Sequence, residues 1–280
     1  MSERTSHHAG RLGRRIRPEL RSSRAHATRP GGSSYCSNFL GVERARESSD
    51  DFVAVVWFYL NLNPSDVEAC AAILDPNERQ RARQCITLAE QHRMTIRLAR
   101  RRIILSDFCS IAPRNLEFRE WPNGKPYVMS RTGDVEFSTS HHRDIGVVAI
   151  TRRRRVGVDV EGRSGFADSP RLAHLLTTSE RAARINAQPH VKRVDTLARL
   201  WTNTEAIVKA TGEGIASGVD HVRVPLERAQ SRQCFSLIEY GSPWHLYALA
   251  CPQPDVFAAL AVEADPSDDC IAVESTTYAN

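Results

Sequence analysis

Apolar residues crowd together without alternation over residues 51–62, a run rich in Val and aromatics. Such a run predicts a β-strand, ended by the turn chemistry of Asn63-Pro64-Ser65-Asp66. The spacing then becomes helical. Short helices are expected over 65–74 and from Pro76 through Arg83, the second opened by Asp75-Pro76-Asn77-Glu78. Over 88–109, Ile96, Ala99, Ile103 and Ile104 form one face, and Arg93, Arg97 and Arg100 to Arg102 lie on the other, which predicts a long amphipathic helix. Strand patterns return at 116–121 and 127–128, around the turn Pro122-Asn123-Gly124-Lys125-Pro126. Two more, at 135–139 and 145–150, are expected to be joined by a loop, Ser140-His141-His142-Arg143-Asp144. Arg152 to Arg155 read as a hairpin turn before a strand at 156–161.

The order strand, helices, strands then recurs without a visible residue-level repeat. Residues 171–185 are helical, with Thr177 and Glu180 at capping-box spacing where one helix ends and the next begins. A long helix covers 193–210, stopped by Thr211-Gly212-Glu213-Gly214. Short strands are expected at 222–224, 234–239, 244–251 and 256–262. The flanks differ. Residues 1–30 hold eight arginines against two glutamates and have no clean period, so 1–50 reads as a disordered Arg-rich tail. A nucleic-acid arm, a transit peptide lacking an amphipathic stripe, or an upstream mis-assigned start are its other readings. The recurrence only suggests a duplicated architecture, 51–154 and 155–265, followed by a frayed polar tail at 266–280.

Composition narrows the class. With 41% hydrophobic and 25% charged residues, the chain can build a substantial globular core. The net charge of +5 suits an anionic ligand or acidic partner as well as nucleic acid. Of 38 basic residues only Lys125, Lys192 and Lys209 are lysines, so each marks a point charge among planar arginine forks. The seven cysteines show no CxxC and no zinc spacing, which predicts free thiols in a reducing compartment. No apolar run reaches bilayer length and no signal-peptide pattern opens the chain, so a soluble cytoplasmic protein without a membrane partner is expected.

Three places carry candidate chemistry. Strand alternation across 156–161 puts Asp159 and Glu161 on one face. Two adjacent carboxylates attract a cation, and hard oxygen ligands select Mg²⁺ or Mn²⁺ over zinc. Two solvated acids on an edge strand, or partners for the preceding arginines, fit the same pattern. Trp201, Glu205 and Lys209 share a helix face at i, i+4 and i+8. They read either as an exposed ion pair or as a packed helix end approached by a ligand. Ser140-His141 has no Gly-x-Ser-x-Gly elbow, which argues against a hydrolase triad and leaves a phosphate contact or a capping or core histidine. Arg79, Arg81, Arg93 and Arg102 are solvated helix faces or a phosphate pocket between two helices.

Taken in order, Gly124-Lys125-Pro126, Phe137-Ser138-Thr139-Ser140-His141, Gly157-Val158-Asp159-Val160-Glu161, Thr177-Thr178-Ser179-Glu180 and the stretch from Trp201 through Gly214 resemble the 4′-phosphopantetheinyl transferases of the larger, two-half Sfp type. Each motif is weak alone, and the resemblance covers residues 51–262. It implies an α+β pseudo-dimer of two similar halves, each a small antiparallel sheet packed on a long helix, in a monomeric chain with coenzyme A in the cleft. It implies Mg²⁺-dependent transfer of 4′-phosphopantetheine from coenzyme A to a serine of an apo acyl, peptidyl or aryl carrier protein, releasing 3′,5′-ADP, as in a holo-[acyl-carrier-protein] synthase.

Residue by residue, the resemblance gives Asp159, Glu161 and Glu205 the metal, with Glu205, or a metal-bound water sharing the task, as general base. Lys209 and His141 would contact the pyrophosphate, Lys125 and Pro126 the adenine, and Ser140 the nucleotide. Arg79 and Arg81 would meet the 3′-phosphate, and Arg93 would be a further basic nucleotide contact. Two positions depart from the pattern: Thr204 stands where lysine is usual, and His142 where serine is usual. Thr204 motivates an alternative, a non-catalytic relative that binds coenzyme A or a carrier. A nucleic-acid-binding protein is a third reading, without any recognised motif. Fatty-acid, polyketide, nonribosomal-peptide and lysine-pathway carriers all stay open, with 162–170 and 188–195 as the expected carrier surface.

Overall fold

A computed structural model of the chain describes residues 52–130, 133–167, 170–214, 221–229, 234–265 and 271–278. The expected tail at 1–50 lies outside the described residues, as do 266–270 and 279–280.

Strand β1 (Phe52–Tyr59) has six consecutive buried residues. Ala54, Val56 and Phe58 pack toward one side and Val53, Val55 and Trp57 toward the other. Burial on both faces is why the run does not alternate. Helices α1 (Pro64–Ile73), α2 (Pro76–Arg83) and α3 (Leu88–Cys109) follow. Capping boxes start α2 (Asp75 with Glu78) and α3 (Thr87 with Glu90). Strands β2 (Phe118–Glu120), β3 (Pro126–Val128), β4 (Val135–His142) and β5 (Ile145–Arg152) complete the first run.

The second run begins with β6 (Val156–Gly162) and continues through α4 (Pro170–Leu176), α5 (Ser179–Asn186), α6 (His190–Thr211) and the short α7 (Leu226–Ala229). It ends in β7 (Phe235–Glu239), β8 (Ser242–Ala248) and β9 (Val256–Glu263), and a last strand, β10 (Ala272–Thr277), follows. A six-stranded sheet has the order β10-β1-β5-β4-β3-β2, and a four-stranded antiparallel sheet the order β6-β9-β8-β7.

Three apolar cores stack these elements into four layers. One lies between α3 and the six-stranded sheet. A second joins the two sheets through Val53, Val55, Trp57 and Val147 on one side and Val158, Val160 and Leu260 on the other. The third lies between the four-stranded sheet and α6. The molecule is thus two α+β halves back to back, each with a long helix outermost.

The structure changes several expectations. Residues 271–278 do not fray: β10 pairs in parallel with β1, from Phe52 with Ala272 to Trp57 with Thr277. The sheet of the first half is therefore mixed rather than purely antiparallel. Arg152 to Arg155 do not form a hairpin, because β5 and β6 belong to different sheets and the arginines carry the chain between them. Residues 222–224 form no strand, although Val222 and Val224 are buried. Their apolar character reflects burial of a loop. Thr178 rather than Thr177 caps α5, and α6 begins at His190, so most of 188–195 is its first turn. Cys70, Cys85 and Cys251 are free thiols, but Cys234 is disulfide-bonded, a pairing that sequence spacing does not reveal.

Candidate active site

The contact between β6 and α6 brings the acids together. Gly157 lies so close to α6 that an added Cβ would stand 1.9 Å from the Ala206 carbonyl oxygen and 2.5 Å from the Ala210 nitrogen. Only a residue without a side chain allows this approach. Two and four residues on, Asp159 and Glu161 leave β6 on the same face. Glu205 and Lys209 leave α6 one turn apart, toward them.

Lys209 Nζ donates to Asp159 Oδ1 at 2.6 Å and to Ser140 Oγ at 3.1 Å. Asp159 is buried, at 2% exposure, and its Oδ2 has no hydrogen-bond partner among the described residues. Burial, then the Asp159 charge, push the Glu205 carboxyl up to about 7 against the opposing pull of Lys209. Burial and Asp159 also raise Glu161, while Lys209 and a hydrogen bond from Trp201 act the other way. His142 Nδ1 lies 3.8 Å from Glu161 Oε2.

Ser140 and His141 are strand residues, not a loop, since β4 runs on to His142. Ser138 and Ser140 accept the backbone N–H groups of Val158 and Val160, so two hydroxyls satisfy the open edge of β6. Ser140 also donates to Asp159 Oδ1. Strand alternation sends the next side chain, His141, the opposite way. There Arg97 Nη1 lies 2.9 Å from its Nδ1 and 2.8 Å from its Nε2. Desolvation, then the charges of Arg97 and Lys209, bring the imidazole down to about 4, a shift tempered by the solvent that still reaches this exposed residue. One dipeptide therefore touches an acidic wall on one side and a basic wall on the other.

The basic wall differs from the expected one. Arg81 is close enough to Arg97 and Arg101 to lower both, after desolvation. Arg93 pairs with Asp144 at 3.1 Å and adds to the field on His141. Arg79, two residues from Arg81, leaves a different side of α2. Arg102 is enclosed at 1% exposure, bound to Glu78, Asp75 and two backbone carbonyls, and so holds α2 against α3. The resemblance assigns no role to Arg97, although Arg93, Arg97 and Arg101 have the same i, i+4, i+8 spacing that links Trp201, Glu205 and Lys209.

Lys125 is buried, not free in a cleft. Its Nζ pairs with Glu136 Oε2 at 2.7 Å and donates to the Ala210 carbonyl at 3.0 Å. Desolvation lowers its pKa and Glu136 raises it. Asn123 Nδ2 donates to the Thr211 carbonyl at 2.6 Å and packs on Gly212, whose φ of +80° ends the helix. The turn between β2 and β3 thus caps α6 from the other half. Pro126 pairs with Glu120 in β3. Beside Lys125, a cavity of about 600 Å³ is lined by Trp121, Asn123, Arg154 and Thr211 among others. Thr204 is enclosed at 1% exposure, and its hydroxyl has no hydrogen-bond partner among the described residues.

Asp159, Glu161 and Glu205 fit a hard divalent cation by donor type, and the orphaned Asp159 Oδ2 is an acceptor without a donor. They are not gathered into a cage: among the described residues no three His, Cys, Asp or Glu side chains stand ready to hold a metal. No helix among them is long and apolar enough to cross a membrane.

An acidic strand-and-helix pair thus faces arginines across a Ser-His strand, between two back-to-back α+β halves. Residues 155–261 match the model of the 4′-phosphopantetheinyl transferase superfamily. The 4′-phosphopantetheinyl transferase HetI of Nostoc sp. is 26% identical over 200 residues, 71% of this chain and 82% of HetI. A phosphopantetheinyl transferase of Thraustochytrium sp. is 26% identical over 169 residues, 55% of this chain and 58% of that protein. Over residues 155–261 the chain is thus similar to the 4′-phosphopantetheinyl transferase superfamily.

Proposed function

We propose that this chain transfers 4′-phosphopantetheine from coenzyme A to a serine of an apo acyl- or peptidyl-type carrier protein, with Mg²⁺ held by Asp159, Glu161 and Glu205. The supporting observation is the meeting of Asp159, Glu205 and Lys209 on one side of β4 with His141 and Arg97 on the other. Glu205, raised toward neutrality before any cation is bound, takes the proton of the attacking serine. The serine oxygen bonds to the phosphorus that carries pantetheine. The bridging P–O bond breaks, and 3′,5′-ADP leaves with the electron pair. Lys209 and His141 meet the pyrophosphate, and Arg81, Arg93 and Arg97 supply charge for the remaining phosphate. When bound, the metal polarises the phosphoryl group and offsets the leaving charge. The adenine is assigned to the cavity beside Lys125 and Pro126. Arg79 stays at the rim of the 3′-phosphate site. The setting is the cytoplasm, where coenzyme A and carrier proteins meet.

Incubating the full chain with coenzyme A, Mg²⁺ and several apo-carriers should add the mass of phosphopantetheine to at least one. No gain on any carrier, with coenzyme A binding intact, would sink the proposal. Glu205→Gln should cut transfer by roughly 10²–10⁴-fold with the circular dichroism spectrum unchanged. A binding-only relative is the second reading, motivated by Thr204 standing where lysine is usual, enclosed and with no hydrogen-bond partner for its hydroxyl among the described residues. Activity arising from none in Thr204→Lys would favour it.

A further inference from the structure

The acidic wall contains a cation of its own. Asp159 is almost fully enclosed, and an enclosed carboxylate without a counter-charge is strongly unfavourable. Lys209 supplies that charge at 2.6 Å. Ser140 binds Asp159 Oδ1 and is itself held by the Val160 N–H, so the pair Ser140–Asp159 has support apart from the lysine. Glu161 and Glu205 feel the charge of Asp159, yet among the described residues no three His, Cys, Asp or Glu side chains form a cage ready to hold a metal. Lys209 already places a positive charge on the carboxylate whose second oxygen, Oδ2, has no hydrogen-bond partner among the described residues. Its flexible four-carbon stem lets the ammonium move without a change in α6.

We infer that Lys209 is a resident cation that must leave Asp159 before a divalent ion is held there, and that the pyrophosphate of coenzyme A draws it away. This rests on the proposed function and adds a coupling to it. Metal and coenzyme A are taken up together because one ligand removes the charge that opposes the other. Two cations on one carboxylate repel, and an anion that removes one strengthens the hold on the other. The coupling is reciprocal, on the order of 5–150-fold in affinity.

The test measures Mn²⁺ binding by calorimetry, using the full chain with no carrier present. Lys209→Gln keeps an N–H donor toward Asp159 and removes the charge, whereas Lys209→Arg keeps the charge. Without coenzyme A, Lys209→Gln should bind Mn²⁺ about tenfold or more tighter than the wild type, and Lys209→Arg no tighter. Coenzyme A should tighten Mn²⁺ binding more in the wild type than in Lys209→Gln. The inference fails if Lys209→Gln binds Mn²⁺ no better than the wild type, or if Lys209→Arg gains as much as Lys209→Gln. A wild-type chain that binds Mn²⁺ but no coenzyme A overturns the proposed function itself, a separate result from either of these.

Discussion

Helices α3 and α6 are the same length, 22 residues each, and each carries a row of side chains at i, i+4 and i+8, one member of which reaches the end of β4: Arg97 at His141 and Lys209 at Ser140. On α3 the row is Arg93, Arg97 and Arg101, and on α6 it is Trp201, Glu205 and Lys209. The helices differ in how they are secured. Helix α3 opens on its own capping box and ends at Ser110, in the left-handed region at φ 55°. The charges of Arg101 and Arg102 are met within the same half by Glu78 and Asp75. Helix α6 opens at Pro189 without a side-chain cap. Its last carbonyls are met by Asn123 and Lys125 of the other half. The basic wall is therefore complete within one half, while the acidic wall depends on its neighbour for the turn that carries Lys209.

That contrast can be broken experimentally. Lys125→Met leaves Glu136 enclosed without its cation and removes a cap from α6. It should lower stability by about 3–5 kcal/mol, read from the urea midpoint. Arg101→Met should cost less, about 1.5–3 kcal/mol, because Glu78 keeps Arg102. Equal losses would mean that α3 is no more self-contained than α6.

A smaller effect is expected from Arg97→Met, which should raise the half-saturating coenzyme A concentration about tenfold at unchanged saturated rate, the loss of one charge-assisted contact. The same variant should raise the pKa of His141. In the wild type the folded value, about 4, lies below the ordinary 6.5, so the unfolded chain binds the proton first. This contribution to stability is complete above pH 6.5 and is lost as pH falls toward 4. Removing Arg97 should narrow that window, as followed by imidazole chemical shifts. The smallest effect belongs to Asn123→Ala, about 1 kcal/mol. Faster amide exchange should be confined to the last turn of α6, with none at the Ser110 end of α3.

The legible and illegible parts of the sequence divide along physical lines. Both long helices could be read because they are amphipathic over many turns. Asp159 and Glu161 could be paired because alternation in a strand is strict. The end of β4 could not be read: Ser140, His141 and His142 look like loop composition, and only the neighbouring edge of β6 explains a hydroxyl there in a strand. Lys125 stood out as a rare lysine, but its partners, Glu136 and the Ala210 carbonyl, are set by the fold. Arg97 had the right spacing yet was hidden among arginines that mostly bind acids or stack on rings. β10 is short, partly exposed and polar, and its pairing with β1 spans more than two hundred positions, beyond any local pattern.

The β10 strand also sets an order for synthesis. It lies beside β1, yet it follows every residue of the site in the chain. While translation proceeds, β1 waits with one edge open, a template for pairing with any other extended chain. A nascent polypeptide can thus carry all of its acids, its lysine and its arginines and still be unprotected. Premature termination just after β9 would give a product with complete chemistry and an unsealed flank, prone to precipitate before it could turn over.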